Sequence, residues 1–187
     1  MGTFIAVLRS INVGGRNRVP MADLRALMSL LGFGDVTTYV QSGNVVFTAA
    51  GSRQAIAGAI EEQISAELGL AVPVIVRSKR QLQGIVAGTP FAGLDVDPKV
   101  LHVTFLAQRP EPGGVAELAG RAGQFGTDEC EVIGEDVYLY CPGGYGETKL
   151  SNAFLERRLG VTATTRNWRT VTTLAEMAGI PVEQRQG

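Results

Sequence analysis

The chain has 187 residues, 45% hydrophobic and 19% charged, with a formal net charge of −1. That length suits one large domain or two small ones sharing a core, and the near-neutral balance excludes a surface coated in base for general nucleic-acid binding. No apolar run approaches the roughly 18 residues that a membrane span needs.

Residues 3–9 form a short, almost wholly apolar run suited to a strand buried on both faces. The opening stretch, residues 1–9, is too short for a secretory signal and lacks a basic leader. Ala6 stands where a myristoylation signal needs Ser or Thr. A polar, glycine-containing loop follows at 10–19, and Pro20 then opens a helix with Leu24, Leu27, Met28 and Leu31 at helical spacing, closed by Gly32.

Residues 36–41 and 44–48 flank Ser42-Gly43, which predicts a hairpin with a two-residue turn. That register puts Thr38, Val40, Val45 and Phe47 on one face, with Tyr39 and Val46 on the other. Ser52 caps a second predicted helix carrying Ile56, Ile60, Ile64 and Leu68, and residues 72–77 give a fourth strand. A short helix at 79–86 leads into 89–98, rich in Gly, Pro and Asp, the best domain boundary.

The order then repeats. Strand 100–106, a helix near 113–121, a hairpin of 129–133 and 137–141 around Gly134-Glu135, a helix near 151–159 and strand 162–166 follow, with a final helix near 170–178. In the second hairpin Cys130, Val132, Val137 and Leu139 face inward, and Glu129, Glu131, Tyr138 and Tyr140 outward. Leu68-Gly69 before 72–77 and Leu159-Gly160 before 162–166 read as one helix-to-strand joint used twice. The expected fold is α+β: a tandem duplication of a ferredoxin-like βαββαβ unit, with antiparallel sheets and helices on one face. The units are placed at 1–88, including a connecting helix, and 99–187, including the C-terminal helix.

In such a unit the first strand's end lies beside the middle hairpin's turn, and the third strand's end beside the fourth's. The first rule sets Arg9, Asn12, Gly14, Gly15, Arg16 and Arg18 near Gln41, Ser42 and Asn44. The second sets Gly144, Gly146, Lys149 and Ser151 near Arg166, Asn167, Trp168 and Arg169. Both loops run from strand to helix, where free N–H groups attract anions and glycine admits close approach. The 143–151 loop is not a Walker sequence, because Thr148 precedes Lys149 and Leu150 follows it. The plainer readings are turns that need their glycines, solvated basic tips, and a tryptophan anchoring a core edge.

These same stretches carry a resemblance. Arg9-Ser10-Ile11-Asn12-Val13-Gly14-Gly15, Val19-Pro20-Met21, 39–47, Lys149-Leu150-Ser151-Asn152 and Thr165-Arg166-Asn167-Trp168 resemble the mainly bacterial family called domain of unknown function 1697. The resemblance covers nearly the whole chain and implies a duplicated α+β fold; it implies no established activity, cofactor or catalytic residues. The chain departs from it at Ser10, where the family usually has Gly, and at Arg169, where it often has Asn.

One histidine and two separated cysteines argue against zinc or haem, so no cofactor is expected. No Ser–His–Asp or Cys–His spacing is defensible. His102 lies mid-strand on the face opposite Leu101, Val103 and Phe105, expected near Tyr138 or Tyr140. The leading expectation is a cytoplasmic protein that binds a phosphorylated small molecule or nucleotide in a cleft lined by these Gly/basic loops, which they share if the two poles face each other. In it the arginines and Lys149 neutralise charge, Asn12, Asn44 and Asn167 orient the ligand, and Trp168 stacks. The alternatives are an enzyme acting on that ligand through Lys149, Arg166 or Glu147, and single-stranded nucleic acid stacked on Tyr138 and Tyr140. Glu129 and Glu131 weigh against the last. No membrane partner is expected, and the oligomeric state is open.

Overall fold

A computed structural model describes residues 1–15 and 17–182. Contacts gather them into two compact units: Met1–Gly84 with Leu174–Pro181, and a second containing Ile85–Thr173.

In the first unit β1 (Gly2–Leu8), α1 (Met21–Leu30), β2 (Gly34–Tyr39), β3 (Asn44–Ala49), α2 (Arg53–Leu68) and β4 (Val74–Ser78) precede α3 (Lys79–Ala87). The sheet order is β2-β3-β1-β4, all antiparallel. This is the split βαβ arrangement. Phe4, Ala6, Leu8, Val45, Phe47, Val74 and Val76 on one sheet face pack with Leu24, Leu27 and Met28 of α1 and Ile56, Ile60 and Ile64 of α2. The helices share that face because their apolar positions recur every three to four residues. Ser52 caps α2 through the N–H of Ala55, as its position predicts.

The second unit repeats the arrangement with β5 (Leu101–Leu106), α4 (Pro112–Ala119), β6 (Glu129–Ile133), β7 (Asp136–Tyr140), α5 (Asn152–Leu159), β8 (Ala163–Asn167) and the start of α6 (Trp168–Met177), which from Leu174 on groups with the first unit. Its sheet order is β6-β7-β5-β8. Leu106, Val137, Leu139, Cys141 and Ala163 pack with Leu118, Leu155 and Leu159. The fold is α+β, with two four-stranded antiparallel sheets and six α-helices among the described residues.

The registers make the two halves correspond residue by residue. Leu8 pairs with Val74 and Ile5 with Arg77; Leu106 pairs with Ala163 and Val103 with Arg166. Gly69 and Gly160 end their helices in the left-handed conformation, at φ 66° and 69°. α3 and α6 correspond too, each following its strand without a gap. Ser78 and Gln81 cap α3 reciprocally, and Asn167 caps α6 by accepting the N–H of Thr170 at 2.8 Å. The last helix therefore starts at Trp168, not near 170, and it is part of the repeat.

The second hairpin has the expected register, with Gly134-Glu135 between Ile133 and Asp136. The first does not. Tyr39 pairs with Asn44, so the turn is four residues long, and Val40 turns it at φ 50°. β2 also begins earlier, at Gly34, and bulges between Gly34 and Thr37, where Asp35 adopts φ 52°. Val40 thus leaves the face assigned to it and is exposed.

His102 also needs correction. It pairs with Leu139, so it faces the helices, and its ring stacks on Tyr145 at 4.9 Å rather than lying near Tyr138 or Tyr140. Tyr138 is buried and donates to the carbonyl of Ile85. It offers no open platform for a base.

Candidate functional site

The loop after β1 lies beside the β2–β3 turn, as expected. Leu8 N–H donates to Gly43 O at 2.9 Å, and the amide of Asn12 closes the arrangement. Asn12 Nδ2 donates to Val19 O (2.9 Å) and Gln41 O (2.7 Å), while its Oδ1 accepts from Val19 N (2.9 Å). Buried Ile11 and Val19 pin the loop's two ends to the core. Ser10 just before Ile11, and Asn12, Gly14, Gly15 and Asn17 between the two anchors, all have positive φ, from 48° to 75°. Asn tolerates that region because its short amide bonds locally; Asn17 donates to Ser10 O at 3.1 Å.

The side chains predicted there divide sharply. Gly14 and Gly15 are exposed, with nothing within 4 Å of where a Cβ would stand. Arg18 is exposed, and Arg9 is half-buried with Nη1 on Ser10 Oγ. Arg16 lies outside the described residues. Asn12 and Asn44 hold backbone instead of facing a ligand: Asn44 is fully buried, and its Nδ2 donates to Tyr39 O and Ser42 Oγ. Gln41 contributes its carbonyl to the Asn12 bond.

In the second unit the 141–151 loop lies beside the end of β8. Gly144 has φ 92°, Tyr145–Glu147 is a 3₁₀ turn, and Ser151 caps α5 through the N–H of Phe154. Lys149 is exposed, and its Nζ donates to Gln124 O at 3.1 Å. Asn167 is spent on capping α6. Trp168 is buried at the first position of α6, so its indole belongs to the core and does not present the open stacking ring expected of it. Arg169 is exposed. Arg166 is half-buried; burial pulls its guanidinium down to about 10, opposed by Tyr145.

Beside these loops is a cluster that the sequence reading missed. Tyr145 OH donates to Thr165 Oγ1 (3.1 Å), Thr165 Oγ1 donates to Asn152 Oδ1 (2.6 Å), and Thr104 Oγ1 lies 2.7 Å from Thr165 Oγ1. A hydroxyl has one proton, so Thr165, donating to Asn152, accepts from both Tyr145 and Thr104. His102 stacks on Tyr145, and its buried Nδ1 has no hydrogen-bond partner among the described residues. Burial lowers the His102 pKa, opposed by a backbone bond to Val100. By register His102, Thr104 and Thr165 occupy the places of Phe4, Ala6 and Val76 in the first unit. A polar network therefore replaces part of an apolar core. Aligning the two halves strand by strand, β1 with β5 and β4 with β8, would have exposed this contrast.

The strand registers also pair Arg166 with Arg77, which is 1% exposed and, opposite Ile5, turns away from α1 and α2. Its Nη1 donates to Val76 O at 3.2 Å. Cys130 and Cys141 are free and diagonally placed on the helix-facing side. Burial pushes the Cys130 thiol up to about 11, with Cys141 adding to the shift.

A family model described as a protein of unknown function (DUF1697) matches residues 1–138. The chain belongs to the DUF1697 family. The match spans β1 to α3 of the first unit and continues into the second as far as Tyr138 in β7. Comparison with curated proteins gives no match. Among solved structures the chain is similar to a conserved bacterial protein, SP0830, from Streptococcus pneumoniae. The identity is 21%, the match covers 95% of this chain and 98% of the other, and the TM-score is 0.71. That likeness shows a shared fold and nothing of its chemistry. No helix among the described residues is long and apolar enough to cross a membrane.

Proposed function

We propose that this protein binds a phosphorylated small molecule or nucleotide through its glycine- and base-bearing loops, as a cytoplasmic protein. The observation that carries this reading is the Asn12 staple. It fixes the 9–19 loop against the 40–43 turn and leaves Gly14 and Gly15 in left-handed backbone, open to approach, between Arg9 and Arg18. Successive amides around left-handed residues make concavities that suit anions, and guanidinium groups match phosphate oxygens. Exposed Lys149 and Arg169 and half-buried Arg166 supply the same chemistry in the second unit. The recurrence of one topology with matching registers supports descent of both units from a duplicated ferredoxin-like ancestor. The free thiols support a reducing compartment.

Thermal unfolding at low salt with millimolar pyrophosphate and a nucleotide panel tests the proposal. Stabilisation of the wild type that weakens in Arg18→Ala is the expected result. No stabilisation by any of these anions overturns it.

The network around Thr165 favours a second reading, an enzyme acting on that ligand. Buried hydroxyls and a buried histidine cost stability where the first unit uses apolar side chains. Tyr145→Phe should then abolish turnover while retaining anion binding; a screen that finds no turnover by the wild type removes this reading.

A further inference from the structure

At the end of the first sheet opposite the Gly14–Gly15 loop, a cleft of about 450 Å³ opens on the face that points away from α1 and α2. The register explains its floor: Thr3 pairs with Thr48, and Thr37 with Val46, all on that face. Met177 and Gly179, at the end of α6, line the other side. The size is that of a small-molecule site.

One carboxylate, that of exposed Asp35, lines this cleft. Asp35 sits in the bulge of β2 at φ 52°, a conformation that costs an ordinary side chain free energy. Thr48 Oγ1 donates to Asp35 Oδ2 at 3.2 Å. Gly34 makes room for that hydroxyl, since a Cβ at Gly34 would stand 2.7 Å from Thr48 Oγ1. A bulge, a missing side chain and a hydroxyl thus cooperate to aim one acceptor. Asp35 is the only ionisable group among the described lining residues. The other wall is a helix C-terminus, whose dipole end is negative. Lys79 lies beside that end, since a Cβ at Gly179 would stand 3.2 Å from its Nζ.

We infer that this cleft is a binding site for a small organic amine, its ammonium on Asp35 and its apolar body against Val46 and Met177, with Thr3 and Thr37 serving as further polar contacts. An ionised carboxylate accepts without donating, so Thr48 on one oxygen leaves lone pairs for an ammonium. Hydroxyls along the floor add direction, and the apolar side chains favour a short hydrocarbon body. The site is independent of anion binding by the glycine loops.

Heteronuclear NMR titration of the full chain with n-butylamine, phenethylamine and the matching neutral alcohols tests the inference. Millimolar amines should shift the amides of Thr37, Thr48 and Gly179, and the alcohols should bind at least about tenfold more weakly. Asp35→Asn should fold, because Asn accepts left-handed backbone readily, and should lose about tenfold in amine affinity. Shifts confined to other residues, equal binding of alcohols, undiminished binding by Asp35→Asn, or no amine binding at all would each overturn it.

Discussion

Glu61 of α2 accepts the backbone N–H of Val74, the first residue of β4, at 2.7 Å. The same device recurs in the second unit, where Glu156 of α5 accepts the N–H of Ala163 at 2.9 Å. Val74 and Ala163 hold corresponding register positions, opposite Leu8 and Leu106. A helix carboxylate thus fixes where each fourth strand begins, and with it where Arg77 and Arg166 fall. Bonds to charged groups are worth more than neutral ones, and both carboxylates are half-buried. Glu61→Ala and Glu156→Ala should each lower unfolding free energy by about 1.5 kcal/mol in urea titrations. Glu61→Gln, which keeps an acceptor, should lose less than Glu61→Ala.

Two positive-φ positions near the first loop should respond in opposite directions. A Cβ at Gly43, which has φ 72°, would stand 2.6 Å from Ile11 Cδ1 and 2.7 Å from Leu8 Cβ. Both neighbours are buried, so Gly43→Ala combines strain with overpacking and should cost about 3 kcal/mol or more. Ser10, at φ 55°, occupies left-handed backbone where the family resemblance puts glycine. The departure has kept the loop's conformation and accepted its strain. Ser10→Gly should raise stability by roughly 0.5 kcal/mol, the relieved strain being partly offset by added freedom in the unfolded chain. Chemical denaturation of both variants checks the pair; a neutral Gly43→Ala would contradict the packing described.

His102 should give the protein an acid limb of its own. Desolvation lowers its folded pKa below the ordinary 6.5, so the unfolded state binds the proton more tightly. Stability is therefore fully present above pH 6.5 and falls as pH drops from there toward the folded pKa. It is the chain's single histidine, so the slope beginning near neutrality has one imidazole as its source. His102→Phe installs the residue found at the corresponding position, Phe4, and should flatten stability against pH just below 6.5. Denaturation midpoints across that interval, wild type against variant, are the measurement. An unchanged slope would place its origin elsewhere.

What was legible in the sequence follows from the kind of signal each residue carries. Gly134-Glu135 is a two-residue turn between alternating strands, and its register could be read directly. The first hairpin misled because Val40 adopts φ 50°, which no β-branched residue advertises, and because the Asp35 bulge shifts β2 by one residue against its partner. Loop neighbourhoods were readable from topology, whereas the uses of their side chains were not. Asn12 and Asn167 look alike in composition whether they hold backbone or face a ligand. His102, Thr104 and Thr165 look like ordinary strand residues until the registers set them against Phe4, Ala6 and Val76. Arg77 was hidden for a similar reason: a charge at a strand end reads as solvated, yet this one is 1% exposed.

Asn12 gives the most direct test of how the first loop is held. Its amide makes three bonds, and the two from Nδ2 reach carbonyls on separate segments, Val19 and Gln41. Asn12→Asp keeps nearly the same shape and an acceptor for Val19 N, but it sets an ionised oxygen against those two carbonyls. The loss of two donors with added repulsion should cost about 2–3 kcal/mol, more than an exposed loop substitution ordinarily does. Asn12→Ala removes all three bonds without the repulsion and should cost slightly less. Because buried Ile11 and Val19 still anchor the loop's ends, the damage should concentrate between them. Amide hydrogen exchange should therefore quicken at Val19 and leave the β1–β3 ladder protected. Uniform loss of protection across that sheet would mean that Asn12 supports the whole unit rather than the loop.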